Sequence, residues 1–337
     1  MTTRVGINGL GRIGRMALRL IADRDEIEVV AVNDLADLDD LAYMLRYDSV
    51  HGQFGPVEHR NSSLVLRGVD VPFFSHRNPT AIPWGDVGAE VVIEATGAFR
   101  SRALAAGHLE AGAERVIVSA PSDDVDVTVV LGVNEQDFDP AHHRVVSLAS
   151  CTTNCLAPML KVLHESFGVE QAVFTTIHAY TSSQSLVDGP GRRRPRGRAA
   201  AVSIVPTTTG AARAAELVLP DLAGRISGMA MRVPVPDGSV TDLVAQLQKD
   251  ATAQEVNDAF RVAASAPEMK GILGVSEDRL VSVDIIGDPR SAVIDAANTH
   301  VSYGRVAKVL AWYDNEWGYA ARLVDFARFM STSGKSS

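Results

Sequence analysis

Arg4-Val-Gly-Ile-Asn8, Gly9-Leu-Gly11-Arg-Ile-Gly14 and Arg15-Met-Ala-Leu-Arg-Leu-Ile-Ala22 follow one another without a break, and their reading decides the fold. The first run is a short apolar strand, the second a G-x-G-x-x-G turn, and the third carries its apolar residues at helical period. A glycine turn that feeds a helix presents unpaired backbone N–H groups, which suits the pyrophosphate of a dinucleotide. The next apolar strand, Glu28-Val-Val-Ala-Val-Asn33, ends at Asp34, about 20 residues beyond the third glycine, where a carboxylate meets adenosine ribose hydroxyls. The competing reading is a tight strand-to-helix turn in some other doubly wound sheet.

Outward from this unit the α/β alternation continues. It predicts a strand in Val91–Gly97, a helix over Ser101–Gly112, and strands at Arg115–Ser119, Val125–Gly132 and Arg144–Leu148. This is the pattern of a Rossmann-type, doubly wound parallel sheet, assigned to residues 1–150. A second, α+β domain is expected over 151–315, with a mixed or antiparallel sheet covered by helices. It opens with a long helix to about Gly168, followed by strands at Gln171–His178, Arg225–Val233, Val240–Gln248 and Val281–Ile286. Asn315–Met330 is amphipathic, and a C-terminal helix (316–337) is expected to pack back on the first domain.

The 337 residues carry 32 Lys and Arg against 41 Asp and Glu, for a net charge of −9. That balance argues against non-specific binding to nucleic acid or anionic lipid. No apolar run approaches the ~20 residues of a membrane span, and the N-terminus lacks a basic flank followed by an apolar stretch. A cytoplasmic protein is expected. Its two cysteines, four apart, make no disulfide framework and, without neighbouring His or Asp, no metal site.

Both cysteines fall in Ser150-Cys-Thr-Thr-Asn-Cys155, where an extended segment runs into a helix. Helix N-terminal N–H groups favour a thiolate, so Cys151 is the candidate nucleophile. Cys155 reads as packing, with a transient oxidised pairing to Cys151 as the alternative. His178, at the end of an apolar strand, is the candidate base. His51, His76, His108, His142 and His143 read as solvated positions in loops or on helix surfaces. A thiol, an imidazole and a nicotinamide together point to aldehyde oxidation through a thioester. Between Tyr180 and Ala201, Gly189-Pro-Gly-Arg-Arg-Arg-Pro-Arg-Gly-Arg198 reads as a basic loop that lines a site or an interface, against the alternative of a merely solvated loop.

Six motifs carry a resemblance over essentially the whole chain. They are Gly6-Ile-Asn-Gly-Leu-Gly-Arg-Ile-Gly14, Tyr47-Asp-Ser-Val-His-Gly52, Ala149-Ser-Cys-Thr-Thr-Asn-Cys155, Pro206-Thr-Thr-Thr-Gly-Ala-Ala212, Arg232-Val-Pro and Trp312-Tyr-Asp-Asn-Glu-Trp-Gly-Tyr319. In these the chain resembles the phosphorylating glyceraldehyde-3-phosphate dehydrogenases. The resemblance implies Cys151 as nucleophile and His178 as base and as donor to the hemithioacetal oxygen. It implies Thr181 and Arg232 on the substrate phosphate, and Ser150, Thr152, Thr209 and Gly210 on the attacking inorganic phosphate, with Arg196 or Arg198 assisting. NAD would be lined by Gly9, Gly11, Arg12, Ile13, Gly14, Asp34, Arg77, Thr96, Gly97, Ser119, Asn315 and Tyr319, with Asn315 on the nicotinamide carboxamide. It also implies a homotetramer in which the basic loop reaches a neighbour's cofactor site.

Asp34 predicts NAD over NADP, because a carboxylate repels a ribose phosphate. Arg77, together with Arg192 or Arg193 of a neighbour's loop, pulls the other way, and Gly189-Pro190 stands where NAD-selective relatives often have Leu-Pro. Three further departures are Leu148 in place of a common Asn, Pro195 within the Arg-rich stretch, and Asp237-Gly238 in place of a common Asn-Val. They raise the alternative of a specialised or inhibitor-tolerant paralogue. Erythrose-4-phosphate dehydrogenase is a second alternative, and His178-Ala-Tyr-Thr181 with Thr207-Thr-Thr-Gly210 favours the triose-phosphate enzyme over it. A non-catalytic NAD-binding interaction protein is a third, against which intact Cys151, His178 and Arg232 argue.

Overall fold

The structure is a computed structural model that describes residues 2–191 and 193–333. Arg192, and residues 334–337 of the expected C-terminal helix, lie outside the described residues. The chain divides into two compact units, Met1–Val129 with Gln136–Ala149 and Ala320–Ser337, and Val130–Glu135 with Ser150–Tyr319.

The first unit contains β1 (Thr3–Asn8), β2 (Ile27–Asn33), β3 (Tyr47–Asp48), β4 (Gly52–Gln53), β5 (Val57–Arg60), β6 (Ser63–Leu66), β7 (Val69–Phe74), β8 (Val91–Glu94), β9 (Arg115–Val118), β10 (Val127–Thr128) and β11 (Val145–Ser147). One sheet runs in the order β10-β11-β9-β8-β1-β2-β7-β6-β5, while β3 and β4 form a separate ribbon. β5, β6 and β7 pair antiparallel, and the pairs from β7 through β2, β1, β8, β9 and β11 to β10 are parallel. Because parallel strands are buried on both faces, Val5, Ile7, Val91, Val92 and Ile93 are all fully enclosed. The helices of this unit are α1 (Arg12–Ile21), α2 (Leu38–Arg46), α3 (Arg102–Ala105) and α4 (Gly107–Glu110). Gly9 takes φ +95°, and a Cβ on Gly14 would stand 1.9 Å from the Gly9 carbonyl oxygen, so only glycine lets α1 settle onto the turn.

The second unit holds β12 (Val169–Ala179), β13 (Val205–Thr207), β14 (Ile226–Val233), β15 (Ser239–Leu247), β16 (Leu273–Ser276), β17 (Ala292–Asp295), β18 (His300–Ser302) and β19 (Val306–Tyr313). Its mixed sheet is ordered β13-β14-β12-β15-β19-β17-β16, with β18 on β19. The helices are α5 (Cys151–Phe167), α6 (Ala211–Val218) and α7 (Ala253–Ser265); α5 packs on β12, β15 and β19. Strand alternation turns Ala172, Phe174, Thr176 and His178 inward, and leaves Val173 exposed on the other face. His178 therefore shares the covered face with α5.

The last helix, α8 (Trp317–Thr332), carries Phe326 and Phe329 against Phe138, with ring centroids 5.6 and 6.0 Å away. Arg24 pairs with Asp325 at 2.6 Å within the same unit. Among the described residues no helix is long and apolar enough to cross a membrane.

Four expectations need correction. Val281–Ile286 is a 3-10 turn at Ser282–Ile285, not a strand, because the Asp284 carboxylate accepts the Val281 N–H at 2.8 Å and closes the backbone on itself. Of Val125–Gly132 only Val127–Thr128 pairs, since the chain turns at Val130, whose carbonyl accepts from Val133 N–H, and Gly132 takes φ +81°. The Ser101–Gly112 helix is two short pieces, with Gly107 tight against Pro79 and Thr80. His108 is fully buried rather than solvated, clasped by Trp84 and Glu94.

Candidate active site

The candidate nucleophile, Cys151, follows a strained turn. Ala149 takes φ +53°, Ser150 is extended, and the Ser150 Oγ accepts the Thr153 N–H at 3.1 Å as the N-cap of α5. Cys151 is thus the first residue of a 17-residue helix with no acidic side chain in its first turn. Its Sγ lies 3.5 Å from His178 Nε2. His178 Nδ1 faces the Ala179 carbonyl at 2.7 Å, which assigns the proton to Nδ1 and leaves the Nε2 lone pair toward the thiol.

Burial pushes the Cys151 thiol up to about 11, against the opposing pull of Arg232 and of Thr152. Burial and then Arg232 bring the His178 imidazole down to about 3. Charging either group alone is unfavourable. Moving the proton from Sγ to Nε2 would charge both together and add no net charge to the buried pair, a smaller cost than charging either one alone. Cys155 has no imidazole beside it: it is enclosed, burial pushes its thiol up to about 12 against a hydrogen bond with Thr241, and its Sγ lies 3.8 Å from the Ala311 carbonyl.

Cations and hydroxyls gather beside the pair. Arg232 Nη1 lies 3.0 Å from His178 Nδ1, and donates to the Ala179 carbonyl at 2.8 Å and to Thr181 Oγ1 at 3.3 Å. Its Nε is buried with no protein partner. Arg196 donates to Thr207 Oγ1 at 3.0 Å and to Ser183 Oγ at 3.3 Å, while Arg193 donates to Thr208 Oγ1. Burial lowers the Arg196 pKa, and the Arg232 and Arg193 cations lower it further, a cost that a bound dianion would relieve. Arg198 turns instead to Asp188 at 2.9 Å. The Thr209 Oγ1 accepts the Ala211 N–H, and Gly210, the N-cap of α6, has open space where a Cβ would be. The Thr152 hydroxyl lies 3.0 Å from the Tyr313 hydroxyl, and its side chain and backbone both interact with the Cys151 thiol.

In the first unit the donor set fits a dinucleotide. The first turn of α1 has no side-chain cap and no acid, and nothing stands within 4 Å of a Cβ placed on Gly11. Arg12 is paired with Asp48, whose carboxyl is held below its usual range, against burial, by Arg12 and the His51 and Val50 N–H groups. Arg12 and Ile13 therefore offer a ligand their backbone. Asp34 accepts the Leu10 N–H at 2.6 Å and the Ala36 N–H at 2.9 Å, which fixes the carboxylate at the edge of the glycine turn. Arg77 and Thr96 are exposed, Gly97 takes φ +69°, and the Ser119 N–H donates to the Glu94 carbonyl. In the second unit Asn315 Oδ1 accepts from Ser239 Oγ at 2.5 Å, which leaves the Asn315 amide N–H groups for a ligand. Tyr319 is buried, with its hydroxyl pKa raised by burial and by Cys151.

Sequence reasoning did not single out Ser183, Thr208, Ser239 or Tyr313. Ser183 sits in an aperiodic segment where a hydroxyl carries no pattern, and Thr208 lies within a motif read for Thr209 and Gly210. Tyr313 lies within a motif read for its neighbours, yet it bridges Thr152 on α5 and Thr176 on β12 at 3.0 and 2.8 Å.

Residues 3–102 match the family described as glyceraldehyde 3-phosphate dehydrogenase, NAD binding domain, and residues 150–315 its C-terminal domain. The chain is 51% identical over 332 residues to the glyceraldehyde-3-phosphate dehydrogenase of Streptomyces coelicolor, covering 98% of this chain and 99% of that one. It is 51% identical over 335 residues to the enzyme of the same name from Geobacillus stearothermophilus, covering 99% and 100%. Glyceraldehyde-3-phosphate dehydrogenase 1 of Bacillus subtilis is 50% identical over 335 residues, with 99% and 100% covered. With these matches spanning both units and the thiol, imidazole and guanidinium brought together as described, the chain belongs to the glyceraldehyde-3-phosphate dehydrogenase family.

Proposed function

We propose that the chain oxidises D-glyceraldehyde 3-phosphate to 1,3-bisphosphoglycerate, with NAD as hydride acceptor, through a thioester on Cys151. The observation that carries this reading is the placement of Cys151 Sγ at the start of α5, 3.5 Å from a histidine that Arg232 touches from behind.

His178 Nε2 takes the thiol proton as Sγ adds to the aldehyde carbon, and returns it to the oxygen as the hemithioacetal forms. Bound NAD supplies the acceptor for the hydride that then leaves the same carbon. His178 takes the hydroxyl proton in that step, and the carbon becomes a thioester. A phosphate oxygen attacks the thioester, the C–S bond breaks, Cys151 leaves as thiolate and the acyl phosphate departs. Arg232 and Thr181 hold the substrate phosphate; Thr209, Gly210, Ser150 and the Thr152 N–H, helped by Arg196, receive inorganic phosphate.

Asp34 selects NAD over NADP, since its carboxylate is fixed by two N–H donors where a ribose phosphate would need a cation. Asn315 positions the nicotinamide carboxamide. The functional form is a homotetramer: Val173, Met229 and Val244 stand exposed on the sheet face away from α5, and a second copy of this chain is the partner that covers them. Its compartment is the cytoplasm, where the nucleophilic thiol stays reduced.

The initial rate of NADH formation from glyceraldehyde 3-phosphate, with and without inorganic phosphate, tests the reading. Fast, phosphate-dependent turnover that exceeds the rate with erythrose 4-phosphate is expected. Phosphate-independent turnover, or preference for the four-carbon aldehyde, contradicts it.

A further inference from the structure

The carboxyl ends of three neighbouring strands, β2, β1 and β8, finish in Asn33, Asn8 and Glu94, each almost fully enclosed. Their side chains form one hydrogen-bonded line. The His76 N–H donates to Asn33 Oδ1 at 2.8 Å, Asn33 Nδ2 donates to Asn8 Oδ1 at 2.8 Å, and Asn8 Nδ2 donates to Glu94 Oε2 at 2.5 Å. From the other side the buried Trp84 Nε1 donates to His108 Nδ1 at 3.0 Å, and His108 Nε2 stands 3.0 Å from Glu94 Oε2. The indole N–H fixes the tautomer: with Nδ1 an acceptor, Nε2–H is the donor to the Glu94 Oε2. Glu94 Oε1 accepts from the Thr96 N–H at 2.8 Å and from the Thr96 hydroxyl.

The side-chain bonds of this line run toward Glu94, Asn33 Nδ2 also donates to the His76 carbonyl at 3.0 Å, and each of the three strand ends leads into a loop assigned above to the cofactor. Asn8 precedes the glycine turn, Asn33 precedes Asp34 and holds the loop before Arg77, and Glu94 holds Thr96. Thr96 packs so closely on the turn that a Cβ on Gly9 would lie 2.8 Å from both its Cγ2 and its N. Gly6, also on β1, leaves the space that the Trp84 ring fills, since a Cβ there would be 2.6 Å from the indole. The indole, imidazole, carboxylate and two amides thus hold the three loops in one register.

We propose that Glu94 and His108 are positioning residues for the dinucleotide, acting through Thr96, Asn8 and Asn33, none of the five needing to touch the reacting atoms. This rests on the assignment of the glycine turn and Asp34 to NAD. A glutamine at 94 offers one oxygen and one N–H2 to a set of donors, so one side of the line loses its acceptor. A glutamine at 108 can still accept from Trp84 and donate to Glu94, whereas a leucine can do neither.

The test compares the purified full-length wild type with Glu94→Gln, His108→Leu and His108→Gln. Melting temperature, KM for NAD, KM for glyceraldehyde 3-phosphate and the rate of Cys151 alkylation by iodoacetamide are measured for each. Glu94→Gln and His108→Leu are expected to raise KM for NAD roughly 10-fold or more, with kcat, the KM of the aldehyde and the alkylation rate within about threefold of wild type. His108→Gln is expected to restore most of the loss. If Glu94→Gln fails to fold, the two His108 variants carry the comparison. Equal KM for NAD in all variants, equal losses on both substrates, or a His108→Gln no better than His108→Leu overturns the proposal. A wild type that does not bind NAD overturns the underlying cofactor assignment instead.

Discussion

Arg232 Nη1 stands 3.0 Å from His178 Nδ1 and 3.3 Å from Thr181 Oγ1, so one guanidinium touches both the base and a hydroxyl assigned to the substrate phosphate. The cation proposed to bind the substrate phosphate also acts on the proposed reacting pair, lowering the Cys151 and His178 pKa values alike, second to burial in each case. Arg232→Ala is expected to raise KM for glyceraldehyde 3-phosphate by roughly 10–100-fold, the cost of one or two charged hydrogen bonds. Steady-state kinetics against an unphosphorylated short aldehyde checks the assignment. Turnover of that substrate should change far less, and an equal loss on both would place Arg232 in the chemical step alone.

His178→Asn tests the ionising pair. Burial is the main cause that pushes the thiol up to about 11, even with Arg232 and Thr152 pulling it down, and an imidazole that takes the proton offsets the cost of ionising it. Without it the thiolate population below that value shrinks, so the rise of iodoacetamide alkylation with pH moves to higher pH. kcat falls about 10²–10⁴-fold, the range for loss of a general base. An unshifted alkylation profile would mean that the helix N-terminus and Arg232 activate the thiol unaided.

Asp34→Asn keeps the shape but weakens the acceptor that the Leu10 and Ala36 N–H groups share. It also removes the charge that disfavours a ribose phosphate. KM for NAD should rise about 10-fold and the NAD-to-NADP ratio of kcat/KM should fall. A ratio that stays put would move cofactor choice to Arg77 or to the basic loop.

Asp314 accepts N–H donors from Gly287, Glu316 and Trp317 at the start of α8, yet burial and then the neighbouring Asp237 raise its pKa to about 7. The sign follows from proton binding: a carboxyl with a raised folded-state pKa holds its proton in the native state while the unfolded chain has released it. Native stability is therefore greatest below the unfolded pKa, near 4, and declines as pH rises to about 7. Asp237→Asn removes the like charge and is expected to raise Tm at pH 8 by about 2–4 °C per kcal/mol relieved, with a smaller gain at pH 5. Thermal melts at the two pH values read this directly, and a gain independent of pH would sink the charge explanation.

The parts of the fold that followed from the sequence are those where local pattern and tertiary burial agree. Val5, Ile7 and the run Val91–Ile93 form continuous apolar strands because both faces are covered, and the glycine turn announces the helix that follows it. Where a side chain competes with the backbone, pattern misleads. Val281 and Val283 alternate like a strand, but Asp284 closes a turn and both valines stay exposed. His108 looked like a surface position because its partners, Trp84 and Glu94, lie 24 and 14 residues away. At the site, Cys151 was legible from its place at a helix start. The meeting of Ser183, Thr207 and Thr208 with Arg193 and Arg196 was not, since it depends on how an aperiodic loop folds back on β13.

Single-turnover kinetics without phosphate probe the central claim, that the aldehyde is oxidised while bound to Cys151. On mixing the NAD-loaded enzyme with glyceraldehyde 3-phosphate, a burst of about one NADH per subunit should appear. Mass spectrometry should place a phosphoglyceroyl adduct on the peptide containing Cys151, and added inorganic phosphate should discharge it. A burst with no adduct on Cys151, or an adduct that phosphate leaves in place, would contradict the account.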